Sequence, residues 1–263
     1  MPQEFADYIK TDEITFKHAK GMRDIIGKEF HPYNEVFLFL NGDAEFISEK
    51  MKVSLLPNTL VIIPKESFHQ FIVHGPEKDY HRCVFNFKDI RELNEIIEQK
   101  INTVYTLPAT EEMIYLFNRL INATQETLNH CEERILLKSI MGQLLVSLSH
   151  PQSDQASYQG FHPITRDAIK YIHAHIQEKM QVSSIASALH VSASHLMHVF
   201  KRDLHVSIYK YVTEKKLILA KEKIEKGVPP MQAAALCGFN EYSGFYKMYK
   251  KMFECSPSDD KRQ

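Results

Sequence analysis

The sequence predicts a two-domain protein of the α+β class. The N-terminal domain is predicted to be an antiparallel β-barrel or jelly roll with a helical hairpin, and the C-terminal domain to be all-α, with two helix-turn-helix motifs joined by a long helix. The chain has 263 residues, a length that suits two ordinary domains. Short alternating apolar runs fill its first part, and the later part changes to the 3.6-residue period of helices. We place the domains at 1–150 and 163–263 and a linker at 151–162.

Composition excludes several classes of protein. Hydrophobic residues make up 44% of the chain and charged residues 25%, a balance that builds packed cores and excludes a collagen-like or wholly disordered protein. No apolar run reaches the roughly 18 residues that span a bilayer, and the N-terminus lacks the pattern of a secretory signal. We therefore expect a cytoplasmic protein without a membrane partner. The four cysteines form no CxxC pair, so we expect reduced thiols.

Strands are predicted between residues 14 and 87, where short apolar or alternating runs are separated by turn residues. The runs lie at 35–40, 44–48, 51–56, 59–63, 69–74 and 81–87. Their spacing favours an antiparallel barrel or sandwich. Asn41-Gly42 predicts a tight hairpin between the first two runs, because both residues tolerate a positive φ.

Two helices are predicted between residues 111 and 150. Apolar residues recur there at helical spacing: Met113, Leu116, Phe117 and Leu120, then Ile135, Leu136, Ile140, Leu144 and Leu148. Asn129-His130 separates the two series, so the helices form a hairpin. Part of their apolar surface covers the barrel, and we expect the rest to join two chains into a homodimer through helices 111–150.

The C-terminal part is helical and basic. A long helix is predicted from Ser207 to about Lys226, with Gly227 as its stop, and at about 1.5 Å per residue it is roughly 30 Å long. Residues 163–263 carry 16 Lys and Arg against 10 Asp and Glu, a charge of +6, which leaves −7 for the rest of the chain. This division indicates that the C-terminal part meets a polyanion; chance asymmetry of surface charge is the alternative.

An internal repeat lies within this basic part, where the segment 182–201 matches 230–250. The copies align at an offset of 48 and then of 49 residues, so the second has one extra residue in its turn. Each copy has the features of a helix-turn-helix: a small residue, Ala186 or Ala234, where two helices touch, then a tight turn and an apolar inner face on the second helix.

The turns and inner faces of the two copies differ in detail. Gly238 suits the second turn because glycine adopts positive φ without steric cost. His190 stands at the equivalent position of the first copy, and histidine is among the residues more often found at positive φ. The inner faces of the second helices are Leu196, Val199 and Phe200 in the first copy, and Phe245, Met248 and Tyr249 in the second.

From about Ile164 to Arg262 the chain resembles the DNA-binding domain of the AraC/XylS family of transcriptional regulators. The resemblance rests on Cys237-Gly238-Phe239, on the stretch 246–253 and on Ser256-Pro257, which are similar to the family's glycine-phenylalanine, phenylalanine-lysine and serine-proline signature. His205 stands where the family usually has glycine. The resemblance implies a regulator that binds double-stranded DNA and is not an enzyme.

The resemblance also implies which residues meet the DNA, because the second helix of each copy enters a major groove. We predict contacts from Ser194, His195, Met197, His198, Lys201, Arg202, Tyr242, Ser243, Lys247 and Lys250. Met197 offers apolar contact, Lys247 is the best candidate for guanine, and Lys201 is among the residues that hold phosphates. A solvated helix face is the alternative for each basic residue. One chain is expected to read an asymmetric site spanning two adjacent major grooves, which lie about 34 Å apart.

Two motifs in the strand region resemble those of cupins: the stretch 31–35 with Gly42, and the stretch 64–69. With the family resemblance they imply a barrel that binds a small-molecule effector such as a sugar. We assign effector binding to His31, Tyr33, Glu35, Phe37 and His69. Phe39, Phe46 and Phe71 either line the same cavity or form plain core.

A metal site is an alternative for this region. The side chains of Glu29, His31, Glu35 and His69 are the donors of a two-His, two-carboxylate site for divalent iron, manganese or zinc. The other interpretation, which we adopt, is that they are remnants in a barrel with no metal and no cofactor.

Three functions compete. A ligand-responsive transcriptional regulator, either activator or repressor, agrees with all the motifs. A cupin metalloenzyme of the dioxygenase or isomerase type fused to a DNA-binding module requires intact metal ligands. A constitutive nucleoid-type binder is disfavoured by the net charge of −1.

Overall fold

The computed structural model describes residues 5–21, 30–88, 90–91, 93–148, 161–253 and 255–260. The chain divides into two compact units, Met1–Gln159 and Gly160–Gln263. Most of the predicted linker, residues 151–160, lies outside the described residues. The two-domain α+β class is confirmed, because the N-terminal unit contains antiparallel sheets and the C-terminal unit is helical.

The described strands of the N-terminal unit form two antiparallel sheets. They are β1 (Phe5–Lys10), β2 (Ile14–Lys20), β3 (Asn34–Asn41), β4 (Ala44–Ser48), β5 (Lys52–Ser54), β6 (Thr59–Ile63), β7 (His69–Val73), β8 (His81–Phe87) and β9 (Tyr105–Pro108). The six-stranded sheet has the order β1-β2-β8-β3-β6-β9, and the three-stranded sheet has the order β5-β4-β7.

The prediction of a hairpin at Asn41-Gly42 is wrong. β3 pairs with β6 and β8, whereas β4 pairs with β5 and β7, so this turn carries the chain from one sheet to the other. Gly42 does have a positive φ of 126°, and a Cβ at this position would lie 3.1 Å from the Cα atom of Tyr80. The sequence therefore predicted the turn at Asn41-Gly42 correctly, but not that the strands on either side of it belong to different sheets.

Alternation along β3 divides the unit into two cores. Phe37 and Phe39 contribute to a core shared by the two sheets, whereas Val36 and Leu38 belong to a second core on the opposite face of the six-stranded sheet. This is the period-2 pattern of a strand that is buried on both faces. The unit is therefore two sheets with an aromatic core between them and helices on the outer face of the larger sheet.

The helices on that outer face are α1 (Asn94–Lys100), α2 (Glu111–Ala123) and α3 (His130–Ser147). Thr110 caps α2, and Asn129 begins α3 with a capping box that includes Glu132. Of the apolar series predicted on α3, Ile135 is 62% exposed, whereas Ile140 and Leu144 are buried. The buried positions of α3 are Leu137, Ile140, Met141, Leu144, Leu145 and Ser147.

The C-terminal unit is entirely helical in its described part. Its helices are α4 (Pro163–His175), α5 (Val182–Ala188), α6 (Ala193–Leu204), α7 (Ile208–Glu225), α8 (Pro230–Leu236), α9 (Tyr242–Phe253) and α10 (Pro257–Asp260). The hydroxyls of Ser192 and Ser207 cap α6 and α7, and Gly227, with φ of 90°, follows α7 as predicted. No helix in the described ranges is long and apolar enough to span a membrane.

Candidate nucleic-acid interface and sensor site

The first helix-turn-helix consists of α5 and α6. His190 lies in the turn between them with φ of 55°, so a histidine adopts the left-handed conformation that the repeat predicted. The inner face of α6 is buried as predicted at Leu196, Val199 and Phe200. Phe200 packs edge-on against Tyr211 of α7 with ring centroids 5.4 Å apart, which fixes α6 on α7.

The outer face of α6 is open to solvent. The side chains of Ser194, His195, Met197, His198, Lys201 and Arg202 are all exposed. Met197 is 46% exposed, a high value for an apolar side chain on a packed domain. Arg202 also forms an ion pair with Asp203, with Nη2 3.0 Å from Oδ1, so part of its charge is already matched within the helix.

Asp203 anchors α6 to the start of α4. Its Oδ2 accepts hydrogen bonds from the Thr165 hydroxyl at 2.7 Å and the His162 amide at 2.9 Å. Burial acts to raise the pKa of Asp203, but these bonds and Arg202 outweigh it and lower the pKa from its ordinary value. The carboxylate therefore stays ionised and holds α6 against the start of α4.

The second helix-turn-helix consists of α8 and α9. Gly238 lies in its turn with φ of 74°. Phe245 and Tyr249 form the buried inner face of α9, with ring centroids 5.3 Å apart. The outer face contains the predicted Ser243, Lys247 and Lys250, which are exposed, and Tyr242, which is half-buried.

Helix α7 joins the two motifs. Its 18 residues correspond to about 27 Å of helix, and it packs against α6, α8 and α9. Both second helices thus sit on one continuous rod within a single unit.

A polar cluster lies at one end of the core between the two sheets of the N-terminal unit. His31, Glu35 and His69 are all buried, and one potential ligand atom from each lies within 4.8 Å of the others. The Nε2 atom of His31 is 3.6 Å from Oε2 of Glu35. The sequence assigned all three to one site, and the structure brings them together.

Backbone carbonyls set the orientation of both imidazoles. His31 Nδ1 lies 2.7 Å from the Tyr33 carbonyl oxygen, and His69 Nδ1 lies 3.1 Å from that of Ser67. Because a carbonyl oxygen only accepts, each Nδ1 donates, and each neutral ring keeps its lone pair on Nε2. This arrangement is the one by which proteins orient histidines for a ligand or a metal ion.

Glu35 is fully buried, and desolvation raises the pKa of its carboxyl to about 7, although Arg82 acts in the opposite direction. Asn86 is its direct partner across β3 and β8. Among the described residues, Asn86 Oδ1 is a buried oxygen with no hydrogen-bond partner. Sequence reasoning missed Asn86, because only strand register places it beside Glu35.

The other predicted effector residues have different surroundings. Tyr33 stacks on His31 with centroids 4.0 Å apart, so it belongs to the cluster. Phe37 stacks on Phe71 at 4.0 Å and lies in the core between the sheets. Glu29, the fourth predicted metal donor, lies outside the described residues. The cluster thus offers two imidazole nitrogens and a carboxyl, which suit a divalent cation or the hydroxyls of a polar ligand.

Comparisons with known proteins find similar transcriptional regulators. A family model described as a helix-turn-helix domain matches residues 185–263. The probable transcriptional regulator LumQ of Photobacterium leiognathi is 27% identical over 232 residues, 87% of this chain and 89% of that protein. The arabinose operon regulatory protein of Escherichia coli is 24% identical over 235 residues, 84% of this chain and 78% of that protein. The chain is thus similar to these transcriptional regulators over most of its length and resembles the AraC family.

Solved structures of similar proteins include the C-terminal domain of AraT from Geobacillus stearothermophilus. That domain is 27% identical to this chain, the match covers 39% of this chain and 86% of the domain, and the TM-score is 0.37. ToxT from Vibrio cholerae is 9% identical over 98% of this chain and 97% of its own, with a TM-score of 0.39.

These comparisons decide between the three functions that the sequence left open. The chain is a DNA-binding transcriptional regulator, and the relatives named above are transcriptional regulators. The cupin metalloenzyme finds no support in these comparisons. The regulator's four cysteines are free thiols, and burial raises the pKa of Cys83 to about 12 and of Cys237 to about 11.

Proposed function

We propose that each chain reads an asymmetric DNA site with α6 and α9 in two adjacent major grooves, and that the N-terminal unit senses a small-molecule effector. The observation that carries the DNA part is that both helices bury one face on the α7 rod and leave the opposite face exposed. A regulator of DNA acts where the chromosome is, so we place the protein in the cytoplasm. We assign it no catalytic residue.

Base reading is proposed for a subset of the exposed residues: Ser194, Met197 and His198 on α6, and Tyr242, Ser243 and Lys247 on α9. Met197 can contact a thymine methyl group, and Lys247 can donate to guanine. Lys201 and Lys250, one helical turn further along, are placed to hold phosphates. The roles divide into residues that set sequence preference and residues that set affinity.

In vitro selection from random duplexes tests this division. Met197→Ala and Lys247→Ala should each relax base preference at one position, by about 1–3 kcal/mol of discrimination, and at different ends of the site. Lys250→Ala should weaken all duplexes alike and lower the salt dependence of binding. Lys170→Ala, an exposed lysine of α4, is the control. If Met197→Ala and Lys247→Ala both keep the wild-type base preference, these two residues do not read bases.

The cluster of His31, Glu35 and His69 is the proposed effector site. A neutral sugar fits its donors and acceptors, since each Nε2 accepts and the carboxyl does either. A divalent cation is the other ligand that this donor set favours. Binding of either ligand, the sugar or the cation, should stabilise the folded N-terminal unit by about 2.7 kcal/mol at a ligand concentration of 100 times Kd.

Thermal unfolding of the full chain with a panel of sugars and of divalent cations tests the site. We expect at least one ligand to raise the melting temperature, and His69→Gln to abolish that rise. His74→Gln, an exposed histidine paired with Glu45 outside the cluster, should keep it. The assignment is wrong if no ligand changes the melting temperature, or if His69→Gln responds fully.

A homodimer through α2 and α3 is proposed from the large side chains that these helices leave exposed. Tyr115, Ile135 and Val146 are all more than half exposed. Ile135→Glu should convert a dimer into a monomer in sedimentation, because it places a charge in the apolar contact. Met231→Glu, at an exposed site in the C-terminal unit, should leave the dimer intact. A monomeric wild type would disprove the proposal.

A further inference from the structure

A cleft of about 560 Å³ lies between the two helix-turn-helix motifs of the C-terminal unit. Its walls come from the α4–α5 loop and the start of α5, from the first half of α7, and from the α8–α9 turn with the start of α9. Val182, Ile208, Val212, Phe239 and Met248 give it an apolar lining. Its volume is in the range of small-molecule sites.

A lysine is buried in the wall of this cleft. Lys216 of α7 is only 6% exposed, and in the described part of the chain its Nζ donates one hydrogen bond, to the Glu178 carbonyl at 2.7 Å. An ammonium has three N–H groups, so two remain for another acceptor. Burial of the charge lowers the pKa of Lys216. A buried cation with unused donors is costly unless an acceptor completes it.

The ammonium of Lys216 lies where the two motifs meet. Glu178 belongs to the loop between α4 and α5, which leads into the first motif. On the other side, a Cβ at Gly238 would lie 2.8 Å from the Lys216 Nζ and 3.2 Å from the Glu178 oxygen. A group bound to this ammonium would therefore touch the turn of the second motif and the loop that leads into the first.

The charges in the lining favour an anion. The lining includes the cations of Lys179 and Lys216 and the carboxylate of Glu241, so one positive charge is in excess. The apolar side chains beside it suit a hydrocarbon or aromatic body. A ligand that meets both conditions is an organic acid with one charged end and one apolar end.

We propose that this cleft binds an amphipathic carboxylate, with its charged end on Lys216 and its apolar body between the two motifs. This site is separate from the proposed effector site of the N-terminal unit. Because the ligand would contact both motifs, its binding is coupled to the arrangement of α6 and α9 that a DNA site requires. By linkage, the carboxylate and the duplex then change each other's affinity by the same factor.

Decanoate, below its micelle-forming concentration, is the probe, with decan-1-ol as the uncharged counterpart and inorganic phosphate as the bare anion. With the full chain, we expect decanoate to bind saturably and at least tenfold more tightly than either control. Lys216→Met should lose that preference, and Lys216→Arg should keep it. Lys215→Met is the matched control, because Lys215 precedes Lys216 directly in α7. This variant should bind decanoate as the wild type does.

Equal binding of decanoate and decan-1-ol, or full decanoate binding by Lys216→Met, would overturn the proposal. Binding of phosphate as tight as that of decanoate would show a simple anion site and would also overturn it. We further expect saturating decanoate to change the Kd for a bound duplex at least threefold in the wild type and in Lys215→Met, but not in Lys216→Met. An unchanged duplex Kd in the wild type would disprove the coupling.

Discussion

Gly238→Ala is expected to destabilise the C-terminal unit by roughly 2–4 kcal/mol, because two costs add at this turn. The φ of 74° is a left-handed conformation that a residue with a Cβ adopts at a cost. The added methyl group would also lie 2.8 Å from Lys216 Nζ and 3.2 Å from the backbone oxygen of Glu178. The lysine can move only by giving up its hydrogen bond, and the loop backbone must shift as well.

Gly227→Ala is the matched control for this prediction. Gly227 also has a positive φ, of 90°, but a Cβ there would meet nothing within 4 Å. It should therefore show the backbone cost alone, about 1–2 kcal/mol. Urea unfolding of both variants measures the difference. Equal destabilisation by the two substitutions would show that the close approach of Gly238 to Lys216 and Glu178 does not add to the cost of a Cβ at this position.

Glu35→Gln is expected to make the N-terminal unit more stable than the wild type above pH 7. Burial raises the pKa of Glu35 from 4.5 to about 7, so the folded state binds the proton more tightly than the unfolded state does. The wild-type free energy of unfolding therefore falls as the pH rises from about 4.5 to about 7, and it stays lower above that range. A shift of this size corresponds to about 3 kcal/mol. Glutamine resembles the protonated acid and removes the loss.

Unfolding of both proteins from pH 4.5 to pH 8.5, with a chelator present, measures this effect as the difference between variant and wild type. Glu45→Gln is the control. The pKa of Glu45 is lowered, since hydrogen bonds and charges from His74 and Lys52 outweigh the effect of burial. Its replacement should therefore cost stability at neutral pH. A difference between Glu35→Gln and the wild type that does not change with pH would show that ionisation of Glu35 does not affect the stability of the unit.

Local patterns predicted most of the secondary structure because the physics behind them is local. Period-2 alternation located β3, β4, β6, β7 and β8 to within a residue or two, and the repeat located both helix-turn-helix motifs. The left-handed turns followed from residue type: His190 and Gly238 both have positive φ. The strands β1 and β9 and the short helix α1 were not predicted.

Features that depend on contacts between distant parts of the chain could not be predicted from local sequence patterns. Which strands meet at Asn41-Gly42 depends on sheet pairing, and the same register places Asn86 beside Glu35. Lys216 was not singled out because a lysine in an amphipathic helix ordinarily faces solvent; only the packing of both motifs on α7 buries it. The exposure of Ile135 likewise depends on which way α3 rotates on the sheet.

We propose that one chain carries two unequal groove-reading helices on a single rod. Methylation interference and hydroxyl-radical footprinting of the full chain on a selected duplex measure how many grooves each chain contacts. For each bound chain we expect two different major-groove patches on one face of the duplex, about 10 base pairs apart, with Lys247→Ala losing interference at one patch only. A single patch for each chain, or a Lys247→Ala footprint altered equally at both patches, would contradict this proposal.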